Sequence, residues 1–213
     1  MDVQERILTR ASELFGKYGV KSVSMDDLAG ELGISKKTIY QYFSNKAELV
    51  QAFTQAFFNH EVLIANQLNE SAENAVQALI MAIRQMQSIF KEISPRLIYE
   101  IQKYYPQSWA LFESFKQNIL YPLVYQNLEE GITQGYYRKD IHMEIVARMR
   151  VNQMELAIRQ ELYPYKSFDP AEVQLELFRM YMHGIVTEKG RQHLHKYLAS
   201  HPEDEELLHI NNQ

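Results

Sequence analysis

A chain of 213 residues, 46% hydrophobic and 23% charged, is long enough to bury a substantial core as one large domain or two small ones. It has no cysteine, which excludes a disulfide framework and a thiolate zinc site. The formal net charge of −5 argues against a generally basic protein, but residues 1–50 hold seven Lys/Arg and seven Asp/Glu, so the acidity lies mostly in the body and a local DNA-binding face stays open. The start MDVQERILTR is charged and amphipathic, without the apolar centre of a signal peptide. No apolar run approaches the roughly 18 residues of a bilayer span. The expected location is the cytoplasm, with no membrane partner.

Helical periodicity runs through the chain and no strand pattern stands out. Val3, Ile7, Ala11, Leu14, Phe15 and Tyr18 mark one face of a first helix, closed by Gly19. Ser24 opens a short second helix with Asp27 as its capping-box partner, and Gly33 ends it. Ser35 caps a third helix running to about Tyr42, and Ser44 or Asn45 caps a fourth that continues to about Asn69. A fifth spans about Asn74 to Phe90, and a short helix over 96–105 is ended by Pro106. A long helix from Ser108 to about Thr133 is expected to kink at Pro122, followed by a loop containing Gly131, Gly135, Tyr136 and Tyr137. Two long helices close the body, one from Asp140 to about Leu162 and one from Pro170, capped by Asp169, to about Lys189, where Gly190 stops it. One or two further turns fit His193 to Ala199, and the acidic tail is expected to fray. The fold class is all-α, with about nine or ten helices, divided into a smaller part over 1–46 and a larger helical part over 47–213.

The segment SMDDLAGELGISKKTIYQYFSNKAEL, Ser24 to Leu49, has the plan of a helix-turn-helix, whose second helix enters the major groove. At about 100° per residue, Lys36, Lys37, Tyr40 and Gln41 share one face of the third helix while Ile39 lies on the other. Two cations, a phenol and an amide facing outward suit phosphates and base edges. Ser35 and the free N–H groups of the helix start suit a phosphate, and Lys46 adds a cation near the same surface. Taken as charges alone, a Lys pair beside aromatics also fits a solvated helix face.

Ile7, Ala11, Leu14-Phe15, Gly19, Ser24, Leu28-Ala29, Gly33, Ser35, Tyr40, Phe43, Lys46 and Leu49 stand in register, without gaps, where the tetracycline-repressor (TetR) family has its signature residues. The first 50 residues therefore resemble that family of bacterial transcriptional regulators. Leu28 stands at a position that is often isoleucine there. The resemblance implies a homodimer, most simply a repressor, that binds a palindromic DNA operator and is released by a small-molecule effector. It implies that Lys36, Lys37, Tyr40 and Gln41 face the major groove. It also implies phosphate contacts from Ser24, Tyr42 and Lys46, with Thr38 contributing. No cofactor is implied, and activation instead of repression stays open.

The body is less specific. Tyr99, Tyr105, Trp109, Phe112, Phe115 and Tyr121, with Gln153, are the candidate liners of a pocket for an apolar or aromatic ligand, while aromatics at helical spacing equally make core. The resemblance favours the pocket. Ile145, Met149, Leu156, Leu177, Met180 and Ile185 are the candidate dimer contacts on the last two long helices, against the alternative that both stripes face the body's own core.

Catalysis has little to build on. Glu206-Leu-Leu-His209 is the only spacing that fits half a di-iron site, and it sits in the acidic tail. His193 and His195 diverge by about 200° on a helix, too far apart to share a metal. No phosphate loop, nucleophile elbow or HExxH string occurs. A protein that keeps the helix-turn-helix but binds no DNA is the other alternative.

Overall fold

The computed structural model describes residues 2–204, Glu203 by its backbone alone; the acidic tail beyond Asp204, with the Glu206–His209 pair, lies outside them. The tail's first residues, expected to fray, form a short turn over Pro202–Asp204 in which the buried Asp204 accepts from Arg84 Nε at 2.9 Å. The helices are α1 (Val3–Tyr18), α2 (Met25–Leu32), α3 (Lys36–Tyr40), α4 (Lys46–Ser71), α5 (Ala75–Glu92), α6 (Pro95–Tyr104) and α7 (Pro106–Phe115). A π-helical turn (Lys116–Leu120) leads into α8 (Tyr121–Thr133), followed by α9 (Met143–Leu156), α10 (Pro170–Ile185) and α11 (Glu188–Ser200). Counted with α7, the π turn and α8 as one uninterrupted helical segment of the sequence, these are ten helices among the described residues. The expected all-α class holds, and the one extended pairing among the described residues is an antiparallel bridge between Tyr137 and Val186.

The chain forms two compact units, Met1–Leu63 with Phe90–Phe115, and Ile64–Ile89 with Lys116 onward. The boundaries fall inside α4 and α5. In the first unit the periodic residues of α1 and α2 meet those of α3 and α4: Ile7, Ala11, Phe15, Leu28, Ile39, Phe43, Leu49 and Val50 are all buried, and Leu97 of α6 joins them. Each such aliphatic or aromatic side chain contributes about 1.5–3 kcal/mol when fully buried. Phe15 and Phe53 meet edge to face at 5.9 Å. Ser94, the N-cap of α6, donates its N–H to the Gly16 carbonyl at 3.1 Å, tying α6 to α1. Pro106 does end α6, and it opens α7 at once, since a first-turn proline forfeits no helical hydrogen bond.

The second unit buries Val76, Leu79, Ile80 and Ile83 of α5 with Leu128, Ala147, Phe178, Tyr181, Met182, Ile185 and Leu194. Four expectations change here. The break near Pro122 is a widened turn over Lys116–Leu120, ahead of the proline and not at it. Proline offers no N–H to the carbonyl four residues earlier and its ring crowds that carbonyl, so the backbone opens there. Gly131 lies inside α8 and not in the following loop. The fully buried Tyr137 ring rests on it, and a Cβ at 131 would stand 2.0 Å from that ring.

The helix expected over 140–162 runs only from Met143 to Leu156, and 157–169 form turns, held in part by the Tyr165 hydroxyl donating to the Ile158 carbonyl at 2.8 Å. The helix expected to reach Lys189 ends at Ile185. Val186 turns extended to bridge Tyr137, and the Thr187 N–H donates to the Tyr136 carbonyl at 2.8 Å. Thr187 then caps α11 by accepting the Gly190 N–H at 3.1 Å. Gly190 therefore sits in the first turn of α11, where its missing side chain admits the Tyr136 carbonyl; a Cβ would lie 2.2 Å from that oxygen. His193, on α11, stacks on Tyr136 at 4.6 Å.

Candidate nucleic-acid interface

The α2–turn–α3 segment is built by its own short-range chemistry. Ser24 Oγ accepts the Asp27 N–H at 3.1 Å while Asp27 Oδ2 accepts the Ser24 N–H at 2.8 Å, the reciprocal box that starts α2. These hydrogen bonds from Ser24 hold the Asp27 carboxyl below its ordinary pKa. Gly33 ends α2 in the left-handed region at φ 64°, where a side chain is disfavoured. Two residues later Ser35 Oγ accepts the Thr38 N–H at 3.0 Å and lies 2.8 Å from the Thr38 hydroxyl. α3 is thus launched almost immediately after α2.

With Ile39 fully buried, α3 has one fixed rotation. Lys36, Lys37, Tyr40 and Gln41 are exposed, as are Ser24, Ser35 and Tyr42, and Thr38 is half-buried. The two phenols keep 42% and 40% of their surface, far more than tyrosines that merely fill a core. α3 closes sooner than Tyr42, because the Tyr42 N–H turns to the Ile39 carbonyl and Phe43 drops into the core. Of the two candidate caps for α4, Asn45 fills the role: its Oδ1 accepts the Glu48 N–H at 2.9 Å, and the Glu48 carboxylate accepts the Ser44 N–H at 2.6 Å.

Two cations are engaged in ways their spacing does not reveal. Lys36 Nζ donates to Asp26 Oδ2 at 2.6 Å, and this carboxylate raises the lysine pKa. Lys46 is half-buried and donates to the Val20 carbonyl at 2.6 Å; burial lowers its pKa, against the pull of Glu100 and Asp27. Its ammonium has two further protons to offer. Sequence reasoning missed Asp26, an ordinary acid in a helix first turn, and Glu100, buried on α6. Asp26 lies ten residues before Lys36, a spacing no single-helix rule addresses. Glu100 Oε2 accepts the Lys21 N–H at 2.7 Å and its Oε1 accepts from Arg96 at 2.8 Å, so α6 holds the α1–α2 connection.

Of the candidate pocket residues, Trp109, Phe112 and Phe115 come together in the first unit, with Trp109 and Phe112 at 4.7 Å and Phe115 stacked at 4.9 Å on Phe58, a residue of α4 that the sequence analysis passed over. Tyr99 accepts from Lys103 at 2.7 Å, and Tyr105 packs against the first unit's core, its pKa raised by burial. Tyr121 and Gln153 belong to the second unit, where Arg148 lies over the Tyr121 ring. Of the candidate dimer residues, Ile145, Met149 and Met180 are exposed at 61%, 44% and 65%, and Leu156 and Leu177 are half-buried. Ile185 is core, 2% exposed, and offers no surface to a partner. No group of three or more His, Asp or Glu suited to a metal occurs among the described residues, nor does any helix there have the length and apolarity to cross a membrane.

The helix-turn-helix thus presents an outward cationic, phenolic and amide face whose chemistry suits phosphates and base edges. Residues 7–53 match the family model for bacterial regulatory proteins, tetR family. The HTH-type transcriptional regulator YvaF of Bacillus subtilis is 25% identical over 189 residues, 88% of this chain and 97% of that protein. The HTH-type transcriptional repressor KstR2 of Mycobacterium tuberculosis is 24% identical over 147 residues, 67% and 72% of the two chains. Among solved structures, a transcriptional regulator from Saccharomonospora viridis in complex with choline shares the fold with a TM-score of 0.68 at 18% identity, over 87% of this chain and 98% of that one. Over residues 7–53 the chain is therefore similar to the tetR family of bacterial regulatory proteins, and the relatives it matches along most of its length are HTH-type transcriptional regulators.

Proposed function

We propose that the protein is a cytoplasmic, homodimeric repressor that binds a palindromic operator through α3 and leaves it when a small apolar or aromatic effector occupies the body. In this reading residues 1–46 bind DNA and 47–213 sense and dimerise. The observation that carries it is the rotation of α3: Ile39 is fully buried, and Lys36, Lys37, Tyr40 and Gln41 are left outward together. Lys36 and Lys37 meet phosphates or guanine acceptors and Gln41 is suited to adenine, with Ser24, Ser35, Thr38, Tyr42 and Lys46 on the flanking backbone. Repression is supported by KstR2, a repressor, among the relatives.

A dimer is supported by the exposed Ile145, Met149 and Met180 at helical spacing on α9 and α10, since large apolar side chains rarely cluster on a monomer's surface without a partner. Two copies of α3 about 34–36 Å apart read two half-sites one DNA turn apart. The effector is supported by the choline complex of a neighbour of the same fold and by the aromatic string Phe58, Trp109, Phe112 and Phe115. It acts by preferring a dimer whose heads no longer match the operator.

The test is selection of bound DNA from random sequence by the full chain. A recovered palindrome with half-sites one turn, or a multiple of it, apart is expected. Recovery of no enriched sequence by a folded dimer at low salt overturns the reading.

A further inference from the structure

α9 and α10 carry a buried cation for which no acid is provided. Arg150 is 2% exposed, and it forms no ion pair among the described residues. Its guanidinium lies over the rings of Phe178 and Tyr181 at 5.3 and 5.5 Å, and it donates from Nη1 to the Gln174 amide oxygen at 3.1 Å, with the Gln174 amide nitrogen on the Gln153 carbonyl at 3.3 Å. Its Nε–H has no acceptor among the described residues. On the same two helix faces the Tyr181 hydroxyl and Gln153 Oε1 are likewise buried with no partner among the described residues. Positions 150 and 153 share one face of α9, and 174, 178 and 181 share one face of α10, so the two stripes meet in one seam.

Ring faces and one amide do not complete a buried guanidinium. They soften its desolvation, but a full complement for a planar cation is an oxyanion that takes two N–H bonds in its plane. The half-buried carboxylate of α9, Glu155, lies five positions on, toward a different side of the helix, and is engaged by Lys116 and Arg159. Burial also lowers the Arg150 pKa to about 10, which still leaves it cationic at neutral pH. Phenol and guanidinium are both donors, and both stand beside the apolar Phe178 and the second unit's core.

We infer that the α9–α10 seam is a binding site for a small organic carboxylate, held by Arg150 Nε–H and the Tyr181 hydroxyl, with its apolar remainder against Phe178 and a hydroxyl or amide hydrogen, where present, on Gln153. This rests on the reading of the body as a ligand sensor and gives its second unit a site for anions, separate from the aromatic string of the first. An uncharged ligand leaves Arg150 uncompensated and gains little from this seam.

Thermal unfolding of the full chain at fixed ionic strength tests it, with hexanoate and benzoate against hexanamide and benzamide. The carboxylates are expected to raise Tm by about 2–4 °C or more once well above Kd, and the amides not to. Arg150→Met abolishes the carboxylate shift, Tyr181→Phe weakens binding by about tenfold, and Lys139→Met, an exposed control, keeps the shift whole. If Arg150→Met does not fold, Arg150→Lys stands in, with a loss of about tenfold or more because the planar fork is gone. Carboxylates that raise Tm no more than their amides, or that raise it equally in the Arg150 variant, overturn the proposal. A carboxylate shift in a protein that selects no DNA sequence overturns the regulatory reading and leaves the anion site standing.

Discussion

The buried carboxylate of Glu100 accepts the backbone N–H of Lys21 at 2.7 Å. Glu100 is on α6 and only 3% exposed, while Lys21 lies in the connection between α1 and α2. One residue earlier Lys46, from the start of α4, donates to the Val20 carbonyl. The connection that sets the angle of α2 is therefore held from both sides, by an acceptor on α6 and a donor on α4. Glu100→Ala strands the Lys21 N–H and is expected to cost about 1–3 kcal/mol in urea unfolding. Glu100→Gln keeps an acceptor for Lys21 and is expected to lose less. Equal losses from the two variants would show that the charge, not the hydrogen bond, sets the effect.

Gly19 and Gly33 close α1 and α2 for different reasons, and their alanine variants are expected to separate. Gly33 has φ 64° and ψ 31°, with nothing within 4 Å of an added Cβ, so Gly33→Ala costs only the left-handed backbone, about 1 kcal/mol. Gly19 has φ 78° and ψ 161°, a region that is essentially glycine's own, and its Cβ would lie 3.0 Å from Glu100 Oε2 and 3.2 Å from Arg96 Cδ. Gly19→Ala is expected to lose about 3 kcal/mol, seen as a Tm several degrees below that of Gly33→Ala. Equal melting temperatures would remove the close approach of α6 from the explanation.

The head was legible because its determinants are local. Ser24 with Asp27, Gly33, and Ser35 with Thr38 each act within four residues, so spacing alone locates the helix starts and ends, and the burial of Ile39 follows from helical periodicity. The body was less legible because its boundaries depend on contacts far apart in sequence. α10 ends at Ile185 because Val186 pairs with Tyr137, and Gly190 is needed because the Tyr136 carbonyl reaches it, a relation across more than 50 residues. Ile185, read as a dimer contact from the apolar stripe of α10, is core for the same reason: periodicity reports a buried face without saying what buries it. Asp26 and Glu100 were missed since a carboxylate's partner in another helix leaves no pattern of its own.

On the proposed function, Asp26 would compete with DNA for Lys36. The pair is exposed on both sides, and exposed ion pairs are worth at most about 1 kcal/mol, so Asp26→Asn is expected to raise operator affinity by no more than about fivefold. The gain combines a released ammonium with the loss of a negative charge near the phosphates. Lys37→Ala, with no acid partner among the described residues to release, is expected to lower affinity and to reduce the slope of log affinity against log salt by about one. Gel shifts of both variants over a salt series measure the two effects, and unchanged affinity in Lys37→Ala removes α3 from the interface.

Lys116, at the first position of the π turn, is buried, and its ammonium is paired with Glu155 of α9. Burial pushes the Glu155 carboxyl up, but the hydrogen bonds from Lys116 and Arg159 outweigh it and leave the pKa below its ordinary value. A depressed carboxyl stabilises the fold above its unfolded pKa of about 4.3, and that contribution is lost as pH falls through the lower folded value. Glu155→Gln replaces the charge-assisted hydrogen bonds that the carboxylate accepts from Lys116 and Arg159 with weaker ones to a neutral amide and is expected to cost about 1.5–3 kcal/mol at pH 7. The deficit should narrow as pH drops below about 4, because the wild type then protonates the same group. Urea midpoints of both proteins from pH 7 to pH 3 measure the gap. A gap that stays constant over that range would mean that Glu155 acts through packing and not through its charge.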